Sequence, residues 1–301
     1  MEENISEIFG LFHDHKIKVN LIQNSAISFS VCVEDKIGEF NYSIGANFNR
    51  LRNEVLEFGY GKVDQYTWIT KTEIGQPLAM FYTITTDGIF QSDAEVLAHK
   101  NSTGKVIQPN AKPGDIRYND VNDDGQINND DREICGNPWP KFEIGLNGQA
   151  SYRNFDFSFA GFGSFGQDVF NGAASWMGGF SDNTNHLSGY VGWTPENPNT
   201  KNPRVLYADN RNARGDQSRW IEKGSFFKIR QLTLGYTFDQ PIVKKVFDNL
   251  RVSVTGQNLI TLTNYSGLDP EFKAPNIWVK GQDDASYPSP KSVVFSLSVQ
   301  F

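Results

Sequence analysis

The sequence predicts an all-β protein, and three observations support that fold class. Aromatic residues make up 13% of the 301 residues and glycine occurs 27 times, whereas apolar residues total only 38%. Flat and aromatic side chains favour strands over helices. Hydrophobic residues recur at every second position in several stretches, and short connections alternate with very long ones. These patterns are typical of antiparallel β-structure.

Seven stretches of the chain alternate clearly enough to predict strands. In chain order their apolar positions are Ile27, Phe29, Val31 and Val33; Phe40, Tyr42, Ile44, Ala46 and Phe48; Phe142, Ile144, Leu146, Ala150 and Tyr152; Phe155, Phe157 and Phe159; Leu232, Leu234, Tyr236 and Phe238; Leu250, Val252 and Val254; and Val293, Phe295, Leu297, Val299 and Phe301. The alternation changes phase between Ile229 and Leu232, which predicts a β-bulge there.

The connections between these strands are short, long, short and long in turn. DKIGE and RNFD are short enough for tight hairpins, whereas 49–140 and 167–219 are long. Outer-membrane barrels have short turns on one side of the bilayer and long loops on the other. If the last strand ends in the periplasm, every long connection lies outside the cell.

The second face of each strand distinguishes a membrane barrel from a soluble sheet. Here that face is mostly Ser, Gly, Asn, Gln and Thr, which is typical of a water-filled lumen. A solvated soluble sheet usually carries more Lys and Glu. The pattern favours a transmembrane antiparallel β-barrel, with a secreted β-sandwich as the alternative.

Charge and motif content exclude several function classes. The net charge of −7 argues against a nucleic-acid partner, because phosphate binding needs clustered Lys and Arg. The sequence contains no nucleophile elbow or triad pattern, so we do not expect an enzyme. Cys32 and Cys135 are too few for a disulfide scaffold and are predicted to be unpaired thiols.

The segment 120–131, DVNDDGQINNDD, has the spacing of a calcium-binding loop. Oxygen ligands fall at positions 1, 3, 5, 7 and 12, with glycine at position 6 for the sharp turn. The predicted ligands are Asp120, Asn122, Asp124, Gln126 through its backbone carbonyl, and Asp131. Aspartate replaces the usual glutamate at the last position, so a dissociation constant of roughly 0.1 to 1 mM is expected. A solvated acidic turn is the alternative.

Several long motifs resemble one protein family. PGDIRYNDVNDDGQINNDDREICGNPWPKFEIGLNGQASYRNFDFSF is similar to the C-terminal portion of SusC/RagA-type TonB-linked outer-membrane proteins of Bacteroidota, as are TDGIFQSDAEVLAH, GWTPENPN, FFKIRQLTLGYTF and VTGQNLITLTNYSGLDPE. The resemblance implies a barrel of about 22 strands in the outer membrane. It also implies uptake of glycans or peptides with energy from the TonB complex, beneath a SusD-like surface lipoprotein.

The resemblance divides the chain into two parts. Residues 26–301 are expected to be the C-terminal part of the barrel, with 49–140 as a large extracellular loop that contains the calcium-type segment 120–131. Residues 1–25 do not match the family and are expected to lie outside the barrel. About seven strands cannot close a barrel, so we expect this fragment alone to be unable to transport.

Two further sets of residues are candidate functional positions. The terminal strand resembles the signal by which the outer-membrane assembly machinery recognises its clients, and its residues are Phe295, Leu297, Val299 and Phe301. The tryptophans Trp139, Trp176 and Trp193 lie in predicted outer connections and could stack on sugar rings. Packing between loops, or for Trp139 a place in the interfacial aromatic belt, is the alternative.

The sequence therefore predicts part of an outer-membrane, TonB-dependent importer of glycans, oligosaccharides or peptides. A secreted, calcium-stabilised β-domain that binds carbohydrate or a protein partner is the alternative function. The substrate is not determined by the sequence.

Overall fold

The computed structural model describes residues 10–14, 17, 19–24, 28–59, 64–178, 188–206 and 211–301. The fold is all-β and almost wholly antiparallel, which confirms the predicted class. Among the described residues, the parallel pairings are one between two short strands and one isolated bridge between Ile84 and Gln217. Within these ranges, no helix combines the length and the apolar character needed to cross a membrane.

The described chain contains seventeen strands and two short α-helices, besides the helical residues 10–14. The strands are β1 Val19–Asn24, β2 Ser28–Ile37, β3 Phe40–Asn49, β4 Gln65–Tyr66, β5 Thr70–Thr72, β6 Met80–Ile84, β7 Thr86–Ile89, β8 Ile116–Tyr118, β9 Arg132–Gly136, β10 Phe142–Tyr152, β11 Phe155–Phe165, β12 Asp168–Asn171, β13 Ile221–Lys223, β14 Phe226–Phe238, β15 Asn249–Thr263, β16 Gln282–Asp283 and β17 Ser292–Gln300. The helices are α1 Asp93–Ala98 and α2 Gly172–Gly178. Single 3-10 turns form at Asn129–Asp131, Ser218–Trp220 and Ile277–Val279.

An eight-stranded antiparallel sheet is the frame of the molecule. Its order is β1-β2-β3-β10-β11-β14-β15-β17. The seven predicted strands all lie in it, although the predicted position Ile27 falls outside the described residues. Both tight hairpins are confirmed, because β2 and β10 each connect to the next strand through two residues. Gly38 in the first turn and Arg153 in the second have positive φ, as such turns require.

The predicted bulge is also confirmed. The pairing of β14 with β15 shifts between Ile229 and Gln231, and the pairing of β11 with β14 shifts at the same level. Arg230 is the residue left out of both ladders, so it is the bulged position. The strand bends there and brings Arg230 towards the long connections.

Strand β1 is the eighth strand, and the sequence analysis did not predict it. It lies within residues 1–25 and pairs antiparallel with β2, from Val19 opposite Val33 to Asn24 opposite Phe29. Its register shifts after Val19, in keeping with a sequence that does not alternate cleanly. The frame therefore extends one strand further towards the amino terminus than the predicted boundary at residue 26.

The three long connections all leave the same end of the sheet. They join β3 to β10, β11 to β14 and β15 to β17, and they build three small sheets with orders β4-β5-β6-β9, β13-β12-β16 and β7-β8. We call these connections together the loop assembly, residues 50–141, 166–225 and 264–291. The tight turns and the connection 239–248 lie at the opposite end, as the connection lengths predicted.

The buried core lies in the loop assembly and not on the large sheet. One cluster contains Ile69, Phe81, Phe170 and Trp220; a second contains Ile84, Ile116 and Tyr118; a third contains Phe90, Val96 and Ala111. The first cluster joins the connections 50–141 and 166–225, whereas the second and third lie within 50–141. Cys32 on β2 and Cys135 on β9 are both free thiols, as predicted.

Candidate functional site

The register of the large sheet places the predicted apolar positions on one surface, which we call the apolar face. Phe157 of β11 pairs with Leu234 of β14. Leu234 pairs in turn with Val254 of β15, and Val254 pairs with Phe295 of β17. Residues directly opposite in antiparallel strands project to the same side. Leu234 is 50% exposed and Phe295 is 80% exposed, so the sheet presents a broad uncovered apolar surface.

Aromatic rings lie at both ends of the apolar face. At the end that carries the long connections, Phe142 stacks on Phe48 with ring centroids 5.7 Å apart. At the tight-turn end, Tyr236 contacts Phe155 at 4.8 Å and Phe238 at 4.9 Å. Isoleucine, leucine and valine fill much of the band between the two groups of rings. Aromatic girdles that flank an aliphatic band are the outward surface of outer-membrane barrels.

The opposite surface of the sheet, the polar face, carries hydrogen bonds between side chains. Arg251 of β15 donates to Asp156 of β11 through Nε at 2.9 Å and Nη2 at 2.5 Å. Gly235 of β14 lies between the two, and a side chain there would collide with both partners. The hydroxyls of Thr233 and Thr255 lie 3.0 Å apart. This face suits contact with water, as a lumen requires.

Asp115 joins two of the long connections in the loop assembly. Arg204 donates to its carboxylate from Nε at 2.7 Å and from Nη2 at 3.0 Å, and Asn212 donates at 2.9 Å. Burial alone would raise the pKa of Asp115, but these hydrogen bonds outweigh it and hold the pKa below its usual value. The charge therefore stays on the buried carboxylate and ties 50–141 to 166–225.

Asp216 makes a second link of the same kind. Arg132 donates to it at 2.6 Å and Arg214 at 3.0 Å. Burial would raise the pKa of Asp216, and the two guanidinium groups lower it below its usual range. Strand β9 and the segment that leads to β13 are joined in this way.

A third network anchors the last long connection to the sheet. Nζ of Lys228, on β14, donates to both oxygens of Asp269 at 2.9 and 3.0 Å and lies 3.0 Å from Glu271. The bulged Arg230 pairs with Glu271 and lies over the ring of Phe162 at 4.6 Å. Burial would raise the pKa of Asp269, but the bond from Lys228 lowers it overall. The sequence did not predict this network, because its only local mark is the phase break at the bulge.

The first part of the predicted calcium loop is closed by its own side chains. Asp120 accepts from the backbone N–H of Asp124 at 3.1 Å and of Gly125 at 2.7 Å. Asn122 also accepts from Asp124 at 3.1 Å, and Asp124 accepts from the backbone N–H of Gln126 at 2.8 Å. Gly125 has the positive φ that the turn needs. These side chains point their oxygens into the loop.

Asp131 closes the loop from inside the protein. It is fully buried and completes the capping box of the 3-10 turn Asn129–Asp131, whose N-cap is Asn128. Its side chain accepts from the backbone N–H of Val121 at 3.0 Å and of Asn128 at 2.7 Å. The described ranges contain no group of three His, Cys, Asp or Glu side chains placed to hold a metal ion. The oxygen donors therefore fit calcium in type and spacing but do not converge, and calcium binding stays a prediction.

The three candidate tryptophans have different surroundings. Nε1 of Trp139 donates to the carbonyl of Leu78 at 2.7 Å, and Nε1 of Trp193 donates to Gln91 at 2.8 Å. Both indoles thus connect one part of the loop assembly to another, in line with the packing alternative. Trp176 lies on α2 and is 66% exposed. Contact with a sugar stays a prediction for all three.

The terminal strand β17 is one edge of the sheet in the described chain, paired with β15 alone. Its candidate assembly residues lie on the apolar face, with exposed fractions of 80% for Phe295, 66% for Leu297, 37% for Val299 and 84% for Phe301. The Phe301 ring contacts Phe247 at 5.4 Å. A strand with one open edge and an apolar side is suited to pairing with a further strand. Its recognition by assembly machinery stays a prediction.

Comparison with known proteins agrees with this geometry. A TonB-dependent receptor of Formosa agariphila is 26% identical over 300 residues, covering 93% of this chain and 29% of the receptor. The TonB-dependent receptor SusC of Bacteroides thetaiotaomicron is 27% identical over 291 residues, covering 87% of this chain and 28% of SusC. No protein-family model matches the chain.

Solved structures give the same result for the fold. The RagAB peptide transporter superimposes with a TM-score of 0.71 at 20% identity, over 91% of this chain and 28% of that one. The closed-closed state of the RagAB peptide importer gives a TM-score of 0.63 at 20% identity, again over 91% of this chain, and 30% of that one. The chain thus spans about three-tenths of the length of these relatives. By sequence and by fold it is related to the TonB-dependent receptors, and the predicted resemblance to the SusC/RagA type is confirmed.

Proposed function

We propose that this chain is part of an outer-membrane, TonB-dependent importer. The observation that carries the proposal is the two-faced sheet, which exposes apolar side chains on one surface and hydrogen-bonding side chains on the other. Phe40 and Phe48 are eight residues apart on β3, roughly 27 Å along an extended strand. Barrel strands tilt by about 35 to 45°, so this separation spans roughly 19 to 22 Å of depth, close to the apolar band of about 25 Å that interfacial girdles flank.

The cargo is proposed to be a glycan, an oligosaccharide or a peptide. The relatives include SusC and a peptide transporter, and none of them has a name that describes an enzyme. The loop assembly is proposed to face a SusD-like lipoprotein outside the cell. Energy would come from the TonB complex, through parts of the importer beyond the homologous three-tenths.

Residues 120–131 are proposed to hold a structural calcium ion within this assembly. Support comes from the spacing of the oxygen ligands, and from the inward orientation of Asp120 and Asp124. The ion would offset the repulsion among the acidic side chains and stiffen the connection before β9. It would have no part in a chemical reaction.

Cell fractionation tests the proposal most directly. An antibody against residues 111–131 should find the protein in outer-membrane fractions of the source cells, released only by detergent. A protein that is found in the culture medium and is monodisperse in plain buffer would contradict the proposal and support a secreted calcium-stabilised β-domain.

Removal of Phe301 tests the membrane assembly step. The deletion should lower the amount that assembles in the outer membrane, because it removes an exposed aromatic residue from the terminal edge. Phe301→Tyr keeps the ring and should assemble nearly as well as the parent. Equal assembly of all three proteins would show that the assembly machinery does not recognise the terminal residue.

A further inference from the structure

A cleft of about 800 Å³ lies where β3 and β10 meet the loop assembly, and we call it the rim cleft. Phe48, Phe142 and Trp139 supply its aromatic lining, and Arg50, Arg52 and Lys141 supply its cations. β3 ends at Asn49 and β10 begins at Phe142, so the cleft lies at the long-connection end of the sheet.

The floor of the rim cleft is continuous with the apolar face. Phe48 pairs with Ile144, and both lie on the surface that carries the exposed aliphatic side chains. Phe48 itself is 41% exposed. A molecule seated in the cleft would therefore touch charged groups at one end and the outward apolar surface at the other.

The walls of the cleft are held by hydrogen bonds. The side chain of Asn53 accepts from the backbone N–H of Leu78 at 2.8 Å, and Trp139 donates to the carbonyl of the same residue at 2.7 Å. The backbone of Lys141 donates to Phe165 at 2.8 Å. Both walls are thus fixed before any ligand binds, which lowers the entropic cost of binding.

The three cations of the cleft are not neutralised by an acidic partner among the described residues. Arg50, Arg52 and Lys141 are exposed, and none makes an ion pair within the described ranges. Other arginines of the loop assembly do pair, such as Arg117 with Asp87. Only one acid, Glu54, lines the cleft, although the whole chain has a net charge of −7. The cleft is therefore a local positive site on an acidic protein.

We propose that the rim cleft binds the phosphorylated headgroup of a membrane lipid whose acyl chains lie along the apolar face. Guanidinium groups bind phosphate through paired, charge-assisted hydrogen bonds. Basic residues beside an interfacial tryptophan are a common arrangement for anionic headgroups. A free phosphate would satisfy the cations alone, whereas a lipid also covers Phe48 and Phe142. The proposal rests on the proposed membrane location of the sheet.

The test uses the whole protein, purified from outer membranes and placed in nanodiscs of phosphatidylcholine with or without phosphatidic acid. Native mass spectrometry counts the lipids retained on release. The parent should prefer phosphatidic acid over phosphatidylcholine at least about tenfold, because the phosphate of phosphatidylcholine is neutralised by its own choline whereas phosphatidic acid is a net anion. One charge-assisted hydrogen bond accounts for a factor of that size. No preference in the parent would overturn the proposal without any variant.

A matched pair of variants locates the site. Arg50→Gln/Arg52→Gln/Lys141→Gln should lose the preference, whereas Lys36→Gln/Lys244→Gln/Lys245→Gln removes the same charge at the tight-turn end and should keep it. Equal retention by the two variants would place the lipid elsewhere. Should the first variant fail to insert, Arg52→Gln alone should lower the preference by a measurable fraction of that tenfold.

Two further outcomes separate the alternatives. Glycerol phosphate that competes as strongly as phosphatidic acid would show a phosphate site with no role for acyl chains, which contradicts the lipid proposal. A parent protein that never enters nanodiscs contradicts the membrane location itself. A parent that enters them and shows no preference contradicts only the rim cleft.

Discussion

Apolar side chains are exposed on the large sheet and buried in the loop assembly. In the loop assembly Phe81, Phe90 and Phe170 are 0% exposed, whereas on the sheet Phe295 is 80% and Leu297 66% exposed. The loop assembly also buries carboxylates. Asp115 is held by Arg204, whereas Asp131 is held by backbone N–H groups. A single chain thus contains one region that buries its apolar side chains and another that exposes them on its surface.

The difference shows what stabilises each region. The loop assembly follows the usual rule that apolar burial drives folding. The sheet gains little from burial among its own residues, and its strands are held by continuous hydrogen-bond ladders that a bilayer makes obligatory. The apolar face is therefore exposed in the described chain and is not part of its buried core.

The largest expected effect comes from the same substitution in the two regions. Phe81→Ala should lower the free energy of unfolding by about 3 to 5 kcal/mol, because it leaves a cavity in a closed core. Phe157→Ala, on the apolar face, should cost clearly less, since detergent or lipid fills the space. Denaturant unfolding of the purified protein in detergent measures both. Equal losses would mean that the two regions are packed alike.

A charge on the sheet should give the next largest effect. Leu234→Arg should cost about 2 to 4 kcal/mol if the side chain faces the middle of the bilayer. Val294→Arg is the control, because Val294 is 43% exposed on β17 but projects to the polar face. Reversible folding into lipid vesicles compares them. Similar costs for both would indicate that neither face meets lipid.

Sequence reasoning worked well for the sheet and poorly for the loop assembly, for a physical reason. A strand of a large sheet repeats its two-residue pattern over ten or so residues, as β10 does, so the pattern is local and visible. Short strands such as β4 Gln65–Tyr66 have too few residues to show the alternation. The bond between Arg204 and Asp115 joins residues 89 positions apart, and no local signal marks such a pair.

The same reasoning explains which candidate positions were found. The terminal strand and the segment 120–131 are contiguous, so their spacing could be read directly. Lys228 lies in the motif FFKIRQLTLGYTF but was not predicted as a functional position, although it is 1% exposed and bound to Asp269. A cation in that position shows its role only once the last long connection is folded over it.

An intermediate effect is expected at Asp115, where the two long connections meet. Asp115→Asn should cost about 1.5 to 3 kcal/mol at neutral pH, because hydrogen bonds to a charged group are replaced by neutral ones. The lowered pKa of Asp115 adds a pH dependence. Its stabilising contribution is complete above the unfolded value of about 3.9 and is lost as the pH falls through the folded value.

Thermal unfolding between pH 2.5 and pH 7 measures this contribution. The parent should lose stability towards the acid end more steeply than Asp115→Asn does. Asp87→Asn is the control, because Asp87 is 69% exposed in its pair with Arg117 and should change little. Parallel curves for the parent and Asp115→Asn would show that the negative charge of Asp115 does not contribute to stability.

The smallest expected effect belongs to calcium at residues 120–131, the part of the loop assembly whose fold depends most on its own hydrogen bonds. With a dissociation constant of roughly 0.1 to 1 mM, 1 mM calcium should stabilise the protein by only about 0.4 to 1.4 kcal/mol. Local protection reports such a change better than global unfolding does. Calcium should slow proteolysis within 115–135, and chelation should reverse the effect.

Variants of the loop test whether a bound calcium ion or the protein's own hydrogen bonds close it. Asp120→Ala should abolish the response to calcium, because it removes the first ligand along with the bonds to Asp124 and Gly125. Asp123→Ala is the control, since Asp123 lies in the same loop but bonds outward to Ser102 at 2.8 Å. If the parent responds no more to calcium than Asp120→Ala does, the hydrogen bonds of Asp120 and Asp131 are sufficient to close the loop. The loop assembly would then be held by protein contacts throughout, which sharpens its contrast with the exposed apolar face of the sheet.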